Sequence, residues 1–146
     1  MEQRFFICET CGNIIAMVKP SGVPVVCCGK PMKALVPNTT DASQEKHVPV
    51  YTVAGNLVKV QVGSAPHPMI AAHHIEWVSL QTKAGNQRKA LVVDGAPEVT
   101  IALTDGDEVE AVYAYCNLLG LWKAYRINVR RSIHEVRLPL RLCLRS

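Results

Sequence analysis

Leu57-Val-Lys-Val-Gln-Val62 alternates apolar and polar side chains with a period of two. That pattern lets one face of an extended strand enter a core while the other meets water. Val109-Glu-Ala-Val-Tyr-Ala-Tyr115 partly repeats it, and further clusters of β-branched and aromatic residues recur at 48–53, 75–80, 89–93 and 98–103. Turn signals separate the clusters at Ala54-Gly55-Asn56, Gly63-Ser64-Ala65-Pro66, Ala84-Gly85-Asn86, Asp94-Gly95 and Asp105-Gly106-Asp107, each rich in the residues that adopt turn conformations. Helical periodicity is weak throughout. About seven short strands at roughly 8 to 12 residue spacing predict a mainly β chain whose larger part is a small antiparallel sandwich of the immunoglobulin-like kind. The strand count does not distinguish one β topology from another.

Upstream the pattern changes. Arg4-Phe-Phe-Ile7 and Ile14-Ile-Ala-Met-Val18 are short apolar runs that bracket Cys8 and Cys11, and Gly12 and Gly29 follow cysteines where tight turns are needed. Fifteen residues separate Cys11 from the Cys27-Cys28 pair. A segment of about 36 residues cannot bury enough apolar surface to fold alone, so a metal on these four thiolates must supply the missing stability. Four thiolates suit zinc or a single iron equally well. Adjacent residues on an extended chain point apart, so the Cys27-Cys28 pair requires a bend between them. Pro37-Asn-Thr-Thr-Asp-Ala-Ser-Gln44 is polar and poor in branched aliphatics, as a linker is. The expected organisation is a knuckle domain over 1–36, a linker over 37–44, a β domain over 45–124 and an atypical basic extension over 125–146.

The formal charge of +4 over 146 residues is not spread through the fold. Residues 124–146 hold six arginines against Glu135, a balance of +5, which leaves −1 on residues 1–123. No basic face with interleaved aromatics results, so nucleic acid is excluded as an expected partner. No run approaches the length of a membrane span, and Met1–Phe6 has neither the basic nor the apolar region of a signal peptide. The expected compartment is the cytoplasm, where six cysteines serve as metal ligands or redox groups more often than as disulfides.

Three further blocks carry chemistry: Glu45-Lys46-His47-Val48-Pro49; His67-Pro68-Met69-Ile-Ala-Ala-His73-His74-Ile75-Glu76-Trp77; and Cys116-Asn117-Leu118-Leu119-Gly120-Leu121-Trp122. A lone histidine is usually a surface or hydrogen-bonded residue. Histidines in the first two blocks, with a cysteine closing the last clear strand, together point to a metal site far more strongly than any one of them alone. Pro49 and Pro68 stiffen loops that present a ligand, while Trp77 and Trp122 read as core.

The Cys-x-x-Cys, fifteen-residue, Cys-Cys arrangement resembles the desulforedoxin iron module, of rubredoxin-like type. The three histidine and cysteine blocks are similar, in order and spacing, to the iron-site segments of the superoxide reductase family that includes desulfoferrodoxin and neelaredoxin. Residues 1 to about 124 as a whole look like desulfoferrodoxin. The resemblance implies two mononuclear non-haem irons, the first on Cys8, Cys11, Cys27 and Cys28. The second would lie in a square plane of imidazoles that includes His47, His67 and His73, with Cys116 on the axis and the opposite position open. It further implies that Lys46 attracts the superoxide anion and stabilises charge on oxygen, and that Glu45 matches the carboxylate occupying the open position in the oxidised state. A rubredoxin-like electron donor and a homodimer are implied in the same way.

The family closes its site with Cys-Asn-x-His-Gly-x-Trp, and here Leu119 stands at the position of the fourth histidine. The resemblance therefore implies superoxide reductase activity, with the four-cysteine iron able to relay electrons, at a centre that Leu119 impairs. The alternative is an electron-transfer or iron-binding protein whose catalytic centre is lost, and a third reading is a zinc-stabilised β domain that mediates contacts. His74 is expected to pack near the site without filling the gap. The extension to Ser146, with His134 and Cys143, reads as an ill-packed addition and Cys143 as a free thiol.

Overall fold

The computed structural model describes residues 2–126; residues 127–146, with His134, Cys143 and nearly all of the expected extension, lie outside the described residues. Three short strands form the first sheet, β1 (Arg4–Ile7), β2 (Ile14–Met17) and β5 (Lys33–Ala34), in the order β2-β1-β5. A separate hairpin pairs β3 (Val26–Cys27) with β4 (Lys30–Pro31). Its two-residue loop is Cys28-Gly29, with φ of 51° and 74°. Two successive positive φ values turn the chain as a hairpin of primed type does, and this is the bend that the adjacent cysteines require.

A single helical turn, α1 (Gln44–His47), leads into β6 (Pro49–Ala54), β7 (Leu57–Val62), β8 (Ile75–Thr82), β9 (Asn86–Ala90), β10 (Glu98–Ala102), β11 (Val109–Cys116) and β12 (Gly120–Tyr125). They form two antiparallel sheets, β10-β7-β6 and β12-β11-β8-β9. Val58, Val60 and Val62 of β7 and Ile101 of β10 meet Val78 and Leu80 of β8 and Val112, Ala114 and Cys116 of β11 in one buried cluster. This is the core of the predicted sandwich, and the alternation in 57–62 points its valines into it. No helix among the described residues is long and apolar enough to cross a membrane.

Four details differ from the expectation. The cluster at 89–93 is replaced by β9 over Asn86–Ala90, because the tight turn through Gly85 pairs Gln81 with Asn86 and so sets the register. Leu91 leaves the strand and binds Glu76 through its backbone. β12 and α1 are unanticipated; one is a short unalternating run behind Gly120, the other a turn too short to show a period. Finally, β11 is buried along both faces rather than half-exposed. Tyr113, Tyr115 and Ala111 face away from the sandwich core into a second cluster with Phe5 and Leu121, against which Ile14, Ala16, Leu35 and Trp77 pack. The cysteine-bearing sheet thus covers the outer face of β8-β11-β12, with Phe5 4.8 Å from Trp77 and 5.5 Å from Tyr113 between ring centroids.

Asn38, in the stretch read as a linker, is docked against β12: its side chain accepts from Lys123 N at 2.9 Å and donates to Lys123 O at 3.1 Å.

Candidate metal centres

The first cluster follows directly from the two cysteine turns. After β1, Cys8 N donates to Asn13 O and Gly12 N donates to Cys8 O, each at 2.8 Å, closing a loop that brings Cys11 back over Cys8. The Cys28-Gly29 turn presents Cys27 and Cys28 from the opposite side. All four sulfurs lie within 4.8 Å of one another, and Cys11 Sγ is 3.7 Å from Cys27 Sγ. That separation is too long for a disulfide. It matches the edge of about 3.8 Å expected for four sulfurs set tetrahedrally around a metal at about 2.3 Å.

The thiols also respond to their crowding. The backbone N–H of Cys11 holds Cys8 down to about 6. Sharing with Cys11 pushes Cys27 up, and the same neighbour, followed by Cys8, pushes Cys28 up to about 12. Four thiols packed this closely do not all ionise without a cation among them.

The second cluster draws its members from three separate segments. His47 ends α1, His67 lies in the loop after β7, His73 precedes β8 and Cys116 ends β11, and their ligand atoms lie within 4.8 Å of one another. His47 Nδ1 lies 2.6 Å from the Ser43 carbonyl and His67 Nδ1 2.6 Å from the Pro68 carbonyl. Donating to a carbonyl places the proton on Nδ1 and leaves the Nε2 lone pair free. The Nε2 atoms of His47, His67 and His73 are all buried, and none has a hydrogen-bond partner. Three buried orphan nitrogens are costly unless something fills the space among them. Burial pushes His67 down to about 4, against the hydrogen bond to Pro68, and burial likewise lowers His73, assisted by His47, His74 and Lys46. Neutral imidazoles are what a metal requires.

The three rings are not equivalent. His67 stands nearly perpendicular to both neighbours, at 79° and 4.7 Å from His47 and at 86° and 4.6 Å from His73. The outer pair are 6.1 Å apart and inclined at only 27°. Three vertices of a tetrahedron would be equidistant, whereas here one separation is longer, as a square's diagonal exceeds its side. The ring spacing suits three corners of a square better than three vertices of a tetrahedron, with Cys116 as the remaining donor.

The chain matches the desulfoferrodoxin family along residues 39–125, and the desulfoferrodoxin N-terminal domain along residues 2–35. The chain belongs to the desulfoferrodoxin family. A desulfoferrodoxin of Nitratidesulfovibrio vulgaris is 42% identical over 84% of this chain and 96% of its own length. A desulfoferrodoxin homolog of Archaeoglobus fulgidus is 43% identical over 83% of this chain and 95% of its own. The crystal structure of the superoxide reductase from Treponema pallidum superposes with a TM-score of 0.73 at 46% identity, covering 85% of this chain and 99% of that one. The desulfoferrodoxin family binds iron, and both clusters present donors that suit it.

Beside these ligand sets, Glu45 and Lys46 are exposed on α1, next to His47. Leu119 is partly buried and packs on the core cluster that contains Cys116, and position 119 of this chain carries no imidazole. His74 does not replace it: its Nδ1 faces the carbonyls of Ile70 and Ala71, both at 3.1 Å. Two contributors escaped the sequence reading. Asn117 accepts from His74 N at 2.9 Å and donates to Ala72 O at 3.1 Å, so it clamps the turn carrying His73 beside Cys116. Trp122, read simply as core, packs 4.8 Å from the His47 ring and backs the plane.

Proposed function

We propose that this chain is a two-iron superoxide reductase that converts superoxide to hydrogen peroxide by one-electron reduction, without dismuting it. The observation that carries the reading is the meeting of three buried, unpartnered imidazole nitrogens with one buried cysteine. The likeness to a solved superoxide reductase across nearly all of that chain supports it.

Iron, when bound, supplies the electron and an exchangeable coordination position. His47, His67, His73 and Cys116 would hold the second iron, and Cys8, Cys11, Cys27 and Cys28 the first. Cys116, the electron-rich donor of its set, would tune the redox balance of that iron. Lys46, a compact exposed cation beside His47, draws the superoxide anion to this face and stabilises negative charge as it develops on oxygen. Glu45, the exposed carboxylate next to Lys46, would offer an oxygen donor to that iron in its oxidised state. With that one electron, two protons taken up from solvent complete hydrogen peroxide.

The exposure of Cys11 and Cys28 supports a surface-accessible first centre within reach of a rubredoxin-like donor, and hence its use as an electron relay. The same reading divides the chain into domains at 1–36 and 45–124 joined by 37–44, with 125–146 as an extension. It takes the protein to be a cytoplasmic homodimer.

The test is pulse-generated superoxide against the reduced, iron-loaded protein. Second-order consumption of superoxide with a matching optical change at the second iron supports the reading. Superoxide that decays only at its spontaneous rate, with both irons unmoved, refutes it.

A further inference from the structure

Gly63 occupies an unusual place. It follows β7, has a φ of +82° and is buried. A Cβ built on it would lie 2.2 Å from Ala65 O and 2.7 Å from both Glu45 O and Lys46 O. All three neighbours are backbone carbonyls, so no side chain can swing aside to make room. By contrast Gly12, Gly55 and Gly106, also at positive φ, would place a Cβ in open space. Their glycines answer only to the backbone angle; Gly63 answers to a close approach between two chain segments as well.

Those segments are the ones that carry the reacting side. The loop begun by Gly63 binds α1 from below: Ala65 N donates to Glu45 O at 3.0 Å, and Ser64 Oγ reaches the same carbonyl at 3.3 Å. It then returns to β7, where His67 N donates to Val62 O at 3.2 Å. One short loop therefore joins His67 at its end to the Glu45-Lys46-His47 turn on its flank, with Gly63 at the point of nearest approach.

We propose that Gly63 is a positioning residue of the second centre, setting the seat of Lys46 and the spacing of His47 from His67 through its lack of a side chain. The inference rests on the superoxide reductase reading for Lys46, but its effect on the two histidines does not. Restoring ordinary van der Waals separation would move the α1 backbone by roughly half an ångström or more, and shifts of that order misplace reacting groups.

The experiment compares Gly63→Ala with Gly106→Ala in the full-length iron-loaded protein. Both carry a left-handed φ, 82° and 81°, but only the first meets backbone. Both variants should lose thermal stability. Gly63→Ala should in addition shift the visible and electron paramagnetic resonance spectra of the second iron, lower its rate with superoxide about tenfold and flatten the dependence of that rate on ionic strength. Gly106→Ala should keep the parent spectra and a rate within about twofold. Matching spectra and rates in the two variants overturn the proposal. If Gly63→Ala does not fold, Ser64→Ala decides: a shallower ionic-strength slope than the parent's supports it, and an unchanged slope overturns it. If the parent itself fails to react with superoxide, the function reading falls, while the spectra of Gly63→Ala against Gly106→Ala, or of Ser64→Ala against the parent, still judge the positioning role: a shift supports it and identity overturns it.

Discussion

The Lys123 ammonium lies 2.6 Å from Glu2 Oε1, although its side chain is only 4% exposed. It also sits over the rings of Tyr113 and Tyr125, at 5.2 and 4.3 Å. Burial opposes the charge on Lys123, but the hydrogen bond to Glu2 and the contact with Tyr113 raise its pKa overall. The hydrogen bond from Lys123, and then its charge, lower that of Glu2. Lys123 belongs to β12 and Glu2 precedes β1, so this pair ties the cysteine-bearing sheet to the sandwich where Phe5 ties it by packing.

Glu2→Gln should therefore destabilise the protein at pH 7 by about 1 kcal/mol, at the modest end because solvent reaches the carboxylate and screens it. The pH dependence has a definite sign. A lowered carboxyl pKa contributes stability that is complete above the ordinary value of 4.5 and fades as pH falls through the folded value. Urea unfolding of parent and variant should differ at pH 7 and converge only once the pH falls below the lowered folded value. Equal stability at both ends would remove the pair from the account.

Much of the site was legible because cysteine and histidine spacing survives folding: Cys8, Cys11, Cys27 and Cys28 converge, as do His47, His67, His73 and Cys116. The valines of 57–62 showed which side faced the core. What a linear pattern does not carry is what covers a strand from elsewhere. Tyr113 and Tyr115 look like the outer positions of a half-exposed strand until Phe5 and Trp77 are laid over them. The register of β9 came from a turn, not from its apolar residues. The contact of Gly63 with the Glu45 and Lys46 carbonyls joins segments nearly twenty positions apart, and a glycine in a turn looks like any other glycine.

Cys11→Ser tests the first centre in isolation. Cys11 is exposed, so its loss leaves no cavity, yet it removes one of four thiolates from a segment too small to fold without its ion. Iron content should fall from about two per chain to about one, while the spectrum of the second centre is retained. Loss of both irons together would show that the modules do not hold their metals independently.

Lys46→Ala tests the cation beside His47. Lys46 is exposed, and its charge is felt at His73. An attracting charge raises association rates most at low salt, by about tenfold or more. The variant should react with superoxide about tenfold more slowly at low ionic strength and approach the parent as salt is added. A constant ratio between the two across the salt range would assign Lys46 some role other than steering.

Leu119→His tests whether position 119 faces the metal as a fourth imidazole would. His47, His67 and His73 suit three corners of a square, and Leu119 packs on the core cluster that holds Cys116, three residues earlier in the chain. Placing a histidine there should destabilise the metal-free protein by about 1 to 2 kcal/mol, since a partly buried leucine gives way to a polar ring without a partner. With iron the balance reverses, because a further imidazole donor strengthens binding. Release of the second iron to a chelator should slow by about tenfold or more, within the range over which altered metal surroundings change affinity. The visible and electron paramagnetic resonance spectra should change with it. Equal iron occupancy, equal release and an unchanged spectrum would mean that the side chain at 119 does not face the metal, and the square-plane assignment would have to be redrawn around another fourth position.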